Sequence, residues 1–108
     1  VPAHTQDDWG ETPLIVAAIS SRVDVVRLLA PREDVDVNST DWRRTTALAH
    51  AVRDTNGGVE VVRALLDRKD TDVNMRDIDG RSALHHAVEF GARESVGILL
   101  ARSDVKVN

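Results

Sequence analysis

The 108-residue chain contains no cysteine and no tyrosine, and its aromatics amount to two tryptophans and one phenylalanine. Without cysteine, neither a disulfide framework nor a thiolate metal site can form, which fits a reducing compartment, cytoplasmic or nuclear. An excess of positive charge is missing too. The formal net charge is -4 at pH 7, so a phosphate-backbone partner is not expected, because nucleic-acid modules usually present a basic face. No apolar run approaches the ~18 residues that a membrane span requires. Val1 to Asp8 has neither the basic start nor the apolar stretch of a secretory signal. The chain opens on Val1 instead of Met, which points to a processed or excised piece. With aromatics at 3% and Ala, Val and Leu abundant, the core must be built from small and medium side chains, a composition that favours thin, closely packed helices. The length suits one domain.

What is present is repetition. Thr12-Pro13-Leu14-Ile15-Val16-Ala17 aligns with Thr46-Ala47-Leu48-Ala49-His50-Ala51 and with Ser82-Ala83-Leu84-His85-His86-Ala87, at offsets of 34 and 36. An Asp stands five residues before each hydroxyl residue, at Asp7, Asp41 and Asp77. Val37-Asn38, Val73-Asn74 and Val107-Asn108 recur at 36 and 34. Two independent markers give one period, which signals a stacked-repeat architecture.

Each period reads as two short helices. In the first, Thr12 is the expected N-cap, Pro13 occupies the first-turn position where its missing N–H costs nothing, and Leu14, Ala17 and Ala18 fall at helical spacing. After Ser21 and Arg22, the residues Val25, Val26, Leu28 and Leu29 form a second stripe that ends near Ala30, and Pro31 stops it. The second unit repeats this with Leu48, Ala51 and Val52, then Val61, Val62, Leu65 and Leu66. The third does so with Leu84, Ala87 and Val88, then Val96, Ile98, Leu99 and Leu100. Helices this short are not stable alone, so hairpin must stack on hairpin.

The pattern of Asp, Gly, Thr-Pro-Leu-His-like helix start, Leu-Leu at the second helix end and a closing Val-Asn resembles the ankyrin repeat family from about Asp7 to Asn108. The resemblance implies an all-α solenoid of three stacked helix-turn-helix units with hairpin-like connectors. The expected division is a tail at 1-6 and repeats at 7-38, 39-74 and 75-108, the second carrying a two-residue insertion near 55-58. Family members usually place Gly after the second helix. Here Pro31 to Asp34, Arg68 to Thr71 and Arg102 to Val105 stand instead, each one residue longer, so a wider turn is expected. Arg44 occupies the place of Gly10 and Gly80; if that turn needs positive φ, a cost of roughly 1 kcal/mol follows. The middle repeat is expected to be the least regular. The last helix is no more polar than the earlier ones, although terminal repeats normally carry a polar outer face. That points to further repeats beyond Asn108, a partner, or a second copy.

Chemistry is poorly represented. In the family pattern the His after Leu is structural, so His85 is expected to bond back to Ser82. His50 and His86 hold equivalent positions and are expected as a partly buried, hydrogen-bonded pair; a shared metal lacks a readable ligand set. Gly57-Gly58 lacks the Lys and helix start of a phosphate cradle. Asp7-Asp8 and Glu33-Asp34 read as solvated turn acids. Asn38-Ser39-Thr40 matches a glycosylation acceptor but has no secretory signal beside it. No nucleophile has a base and orienting acid at readable spacing, so no enzyme, cofactor or metal is expected.

By the same resemblance, a protein or peptide partner is expected at the hairpin tips and the exposed side of each first helix. Those positions are Asp8, Trp9, Glu11, Ile19 and Ser20; Trp42, Arg43, Thr45, Arg53 and Asp54; and Ile78, Asp79, Arg81, Glu89 and Phe90. The strongest candidates are Trp9, Glu11, Trp42, Arg43, Arg53, Ile78, Asp79, Arg81, Glu89 and Phe90. All the aromatics fall in this set, and Trp and Arg dominate binding energy when buried at interfaces. Each also has a quieter reading. Trp42 folds over a neighbouring hairpin, Trp9 packs on the tail, Phe90 covers the interhelical turn, and the arginines pair with Asp41, Asp54 or Asp79 as exposed bridges of little energetic value. Self-association through the terminal repeats is the alternative to a foreign partner.

Overall fold

The computed structural model describes residues 6–54, 58–102 and 104–106. Six helices run in order, α1 Pro13–Ile19, α2 Val23–Leu29, α3 Ala47–Val52, α4 Gly58–Leu66, α5 Ala83–Glu89 and α6 Arg93–Leu100. Most of the expected tail, residues 55–57 of the stretch expected to hold the two-residue insertion, and the final Val107-Asn108 lie outside the described residues.

The first helix of each pair starts on a hydroxyl cap. Thr12, Thr46 and Ser82 hold extended backbone, and their oxygens accept from the amides of Ile15, Ala49 and His85. Such a cap contributes about 1 kcal/mol. At Ser82 the cap is reciprocal, because His85 Nδ1 approaches the Ser82 hydroxyl at 2.8 Å and its amide at 3.3 Å. This is the structural role expected of His85. The helix ends are equally regular. Ser21 (φ 52) and Gly91 (φ 66) take the left-handed conformation at matching positions. The amide of Arg22 then bonds the Ala17 carbonyl and that of Ser21 the Ala18 carbonyl, with Ala92 to Ala87 and Gly91 to Val88 repeating the arrangement. These are Schellman closures.

The second helices end without a left-handed residue, since the caps Ala30 and Ala101 stay right-handed. The wider turn closes with Arg32 bonding back to Leu29 and Val35 to Arg32, and repeats at Arg68 and Arg102. An Arg-x-Asp motif fastens it. Arg32 grips Asp34, Arg68 grips Asp70 and Arg102 grips Asp104, each through two nitrogens. Glu33-Asp34 is therefore more than a pair of solvated acids. Arg68 also reaches the preceding repeat, donating to the carbonyls of Ala30, Arg32 and Val35. Arg102 does the same to Lys69 and Thr71. Beside it, Asn38 donates to the Asp70 carbonyl and accepts from the Asp72 amide, and Asn74 joins Asp104 and Lys106 in the same way.

Helices α1, α3 and α5 form one layer and α2, α4 and α6 the other, with each pair closing across the layers. The core is made of Leu14, Ala17, Ala18, Leu48, Ala51, Val52, Leu84 and Ala87 in the first layer and Val26, Val61, Val62, Leu65 and Leu99 in the second. Small side chains let the layers approach. At Gly58 the approach leaves no room for a side chain, since a Cβ there would stand 2.0 Å from the Ala51 carbonyl oxygen.

Three residues assigned to the apolar stripes are on the surface. Leu28 lies two residues from buried Val26, about 200° around the helix, and faces outward. Val88 is 63% exposed, whereas Ala18 and Val52, its counterparts, are fully buried under the next repeat. Leu100 is half exposed at the same end, and Ser95 is buried in α6. The repeat pattern described a continuing stack, and no described repeat covers this end.

Candidate functional site

Each connector is a tight hairpin built by its aspartate. The amides of Gly10, Arg44 and Gly80 bond the carbonyls of Asp7, Asp41 and Asp77 at 2.9–3.0 Å. One carboxylate oxygen of each Asp then accepts two further amides, from Trp9 and Glu11, Arg43 and Thr45, and Asp79 and Arg81. The turn does require the left-handed region, at φ 75 for Gly10, 60 for Arg44 and 76 for Gly80. Arg44 therefore carries the backbone strain expected of it.

The other oxygens of Asp41 and Asp77 are held by histidines from the following helix. His50 Nε2 lies 2.9 Å from Asp41 Oδ2, and His86 Nε2 lies 2.8 Å from Asp77 Oδ2. The two histidines thus bond to their own hairpins and not to each other. Val16 holds this position in the first repeat. Burial pushes the His50 imidazole below its ordinary pKa, against the opposing pull of Asp41, and the charges of Arg53 and His86 add to the lowering. Burial acts to raise Asp77, but its bonds from the Arg81 and Asp79 amides and from His86 outweigh that and leave the carboxyl below its usual range. No cluster of three or more metal-ligating side chains occurs among the described residues.

The hairpins are joined along the stack by backbone. The Trp42 amide donates to the Trp9 carbonyl at 3.0 Å, and the Ile78 amide to the Arg43 carbonyl at 3.1 Å. This rail carries three large apolar side chains outward, with Trp9 60% exposed, Trp42 63% and Ile78 53%. Trp42 stands in solvent under the Arg43 guanidinium, 5.6 Å from its ring centroid.

Beneath the tips, the first helices form the floor of a groove. A hollow of about 210 Å³ is lined by Arg43, Arg53, Arg81, Glu89, Phe90 and the two histidines, among others. It adjoins one of about 440 Å³ lined by Ile19, His50, Arg53, Asp54 and Phe90. Arg43 pairs with Asp79 at 3.7 Å, and Arg81 chelates Glu89. Asp41 serves His50, and Asp54 accepts from the Ser21 hydroxyl of the neighbouring repeat. Arg53 lies over Phe90, 5.1 Å from the ring centroid.

Paired helices in two layers, hairpins at one edge and a groove inside them are the geometry expected of stacked repeats, and the sequence comparison agrees. A family model described as ankyrin repeats (3 copies) matches residues 1–77 and 34–108. The chain belongs to the ankyrin repeat family. Ankyrin repeats are in general protein–protein interaction modules and are typically non-enzymatic. No curated protein matches the chain. None of the described helices is long and apolar enough to cross a membrane.

Within this ankyrin stack the candidate residues fall into two groups. Trp9, Trp42, Ile78 and Arg43 belong to the rail of tips, while Arg53, Arg81, Glu89, Phe90 and Asp79 belong to the groove beside it. Glu11 joins neither. It lines a separate hollow with Gln6, Pro13 and Val16 at the first end of the stack, where burial and the nearby Asp7 and Asp41 raise its carboxyl above the ordinary range. Asp7 and Asp77 are turn-building acids, a role that Asp41 shares. The His–Asp link is an addition to the sequence expectations, and its one signal there is the nine-residue spacing shared by Asp41/His50 and Asp77/His86.

Proposed function

We propose that the chain is a non-enzymatic recognition module that binds a protein or peptide along the rail of hairpin tips and the groove inside it. The observation that supports this most is the rail itself. Trp9, Trp42 and Ile78 are exposed at 60%, 63% and 53%, on a backbone locked from repeat to repeat. Large apolar groups on a rigid support lose little entropy on binding and are the usual centres of interface energy. The absence of cysteine suits a cytoplasmic or nuclear setting. We assign partner contacts to Trp9, Trp42, Arg43, Arg53, Ile78, Asp79, Arg81, Glu89 and Phe90, and leave Glu11 out because of its separate position.

The test is a double substitution, Trp42→Ala with Arg43→Ala. Both side chains are exposed, so thermal stability should change by no more than about 0.5 kcal/mol. Affinity for an identified partner should fall at least about tenfold. A collapse of stability would mean that these residues are structural and that the interface lies elsewhere.

A second reading rests on Val88 and Leu100. Their surface is the kind that the other repeats cover with a neighbour, so a second copy or a further repeat fits there. A concentration-dependent mass in solution that Val88→Lys abolishes would support assembly through a second copy, and a monomer at all concentrations would reject that copy as the cover.

A further inference from the structure

The groove is not evenly neutralised. Arg43 has Asp79 and Arg81 has Glu89 as carboxylate partners, and His86 is bonded to Asp77. Arg53 stands between the two hollows and lines both. Among the described residues no carboxylate forms an ion pair with it, and its interaction is the stack on Phe90. Its sequence neighbour Asp54 is engaged by Ser21 across the repeat boundary. The guanidinium carbon lies 5.1 Å from the Phe90 ring centroid, a contact that takes up none of its N–H donors, and a guanidinium fork matches a carboxylate with two parallel bonds. Ile19 and Phe90, both exposed, line the same hollow and supply apolar surface there.

Resting on the recognition role proposed above, we propose that the partner is an extended peptide segment that delivers one Asp or Glu carboxylate to Arg53, with an apolar side chain beside it against Ile19 and Phe90. A single carboxylate fits better than a cluster of acids or a phosphate dianion, because among the described residues Arg53 is the one arginine of these two hollows without a carboxylate ion-pair partner, and Asp54 lines the same hollow. The rail of Trp9, Trp42 and Ile78 supplies affinity with little regard to sequence, and Arg53 supplies the register.

The test uses a random peptide library displayed against the full 108-residue chain, followed by titration of the selected peptides against the wild type, Arg53→Gln and Trp42→Ala. Arg53→Gln keeps a planar amide near Phe90 and removes the charge; circular dichroism and melting check that both variants fold. The selected peptides should share an acidic position. Changing that residue to its amide should weaken wild-type binding about tenfold or more, and should have no effect on Arg53→Gln. Peptides that lose affinity on Trp42→Ala but show no acidic position coupled to Arg53 would overturn this inference and leave the recognition face standing. Peptides indifferent to both substitutions, or a library without binders, would overturn both.

Discussion

Arg44 shows how a single residue can be placed against its own preference. It sits at φ 60 in a turn where the other repeats use glycine, and a side chain there costs roughly 1–2 kcal/mol in the left-handed region. Glycine would relieve that but gain freedom in the unfolded chain, which returns about 0.4–1 kcal/mol of the benefit. Arg44→Gly is therefore expected to stabilise the chain by roughly 0.5–1 kcal/mol and raise its melting temperature by a few degrees. Thermal melting of the two proteins side by side measures it. This strain was legible in the sequence, because three aligned turns made the odd residue visible. The direction of Arg53 was not, since an arginine seven residues after a cap offers no sign of which partner it will find.

At the scale of elements, the turns after the second helices carry a device that the family pattern does not announce. Arg68 and Arg102 combine an Asp two residues on with carbonyls of the preceding repeat, and Arg32 has the same Asp contact with no such carbonyls among the described residues. The three carbonyls served by Arg68 belong to partly buried or exposed backbone at 2.7–3.1 Å. Bonds of a charged donor contribute about 1.5–3 kcal/mol. Arg68→Ala should cost that much, and Arg32→Ala, which removes only an exposed ion pair, distinctly less. Denaturant unfolding of both variants separates the two cases. The helices themselves were readable from hydroxyl caps and apolar spacing. Leu28, Val88 and Leu100 depart from the stripe expectation because a stripe pattern states which side chains are apolar, not whether another layer reaches them.

For the molecule as a whole, His50 and Asp77 couple stability to pH. His50 has a folded-state pKa lowered by burial, so the unfolded chain takes up the proton first. Stability from this site is complete above the unfolded value, about 6.5, and is lost as pH falls from there through the folded value. Asp77, whose pKa is depressed in the fold, adds a second loss as pH falls below about 3.9 through its own folded value. The groups facing His50 are Asp41, Arg53 and His86. The melting temperature should decline from about pH 7 to pH 5, and less steeply in His50→Asn. A pH series of melts on both proteins tests the sign; an identical decline would remove His50 from the account.

The sequence by itself determined the period, the paired short helices, their caps, the strained turn at Arg44 and the family, because these are local or repeat with the chain. It also located Trp9 and Trp42 on the hairpin edge, since both units carry that edge at the same offset. Only the tertiary structure decided which side chains a neighbouring repeat covers, and which charges satisfy one another. Arg43 meets Asp79 and Asp54 meets Ser21 across repeat boundaries, contacts separated by more than thirty residues that no local pattern contains. The exposure of Val88 and the stack of Arg53 on Phe90 follow from that packing. Burial and charge pairing are properties of neighbours in space, and in a stack those neighbours belong to the adjoining repeat.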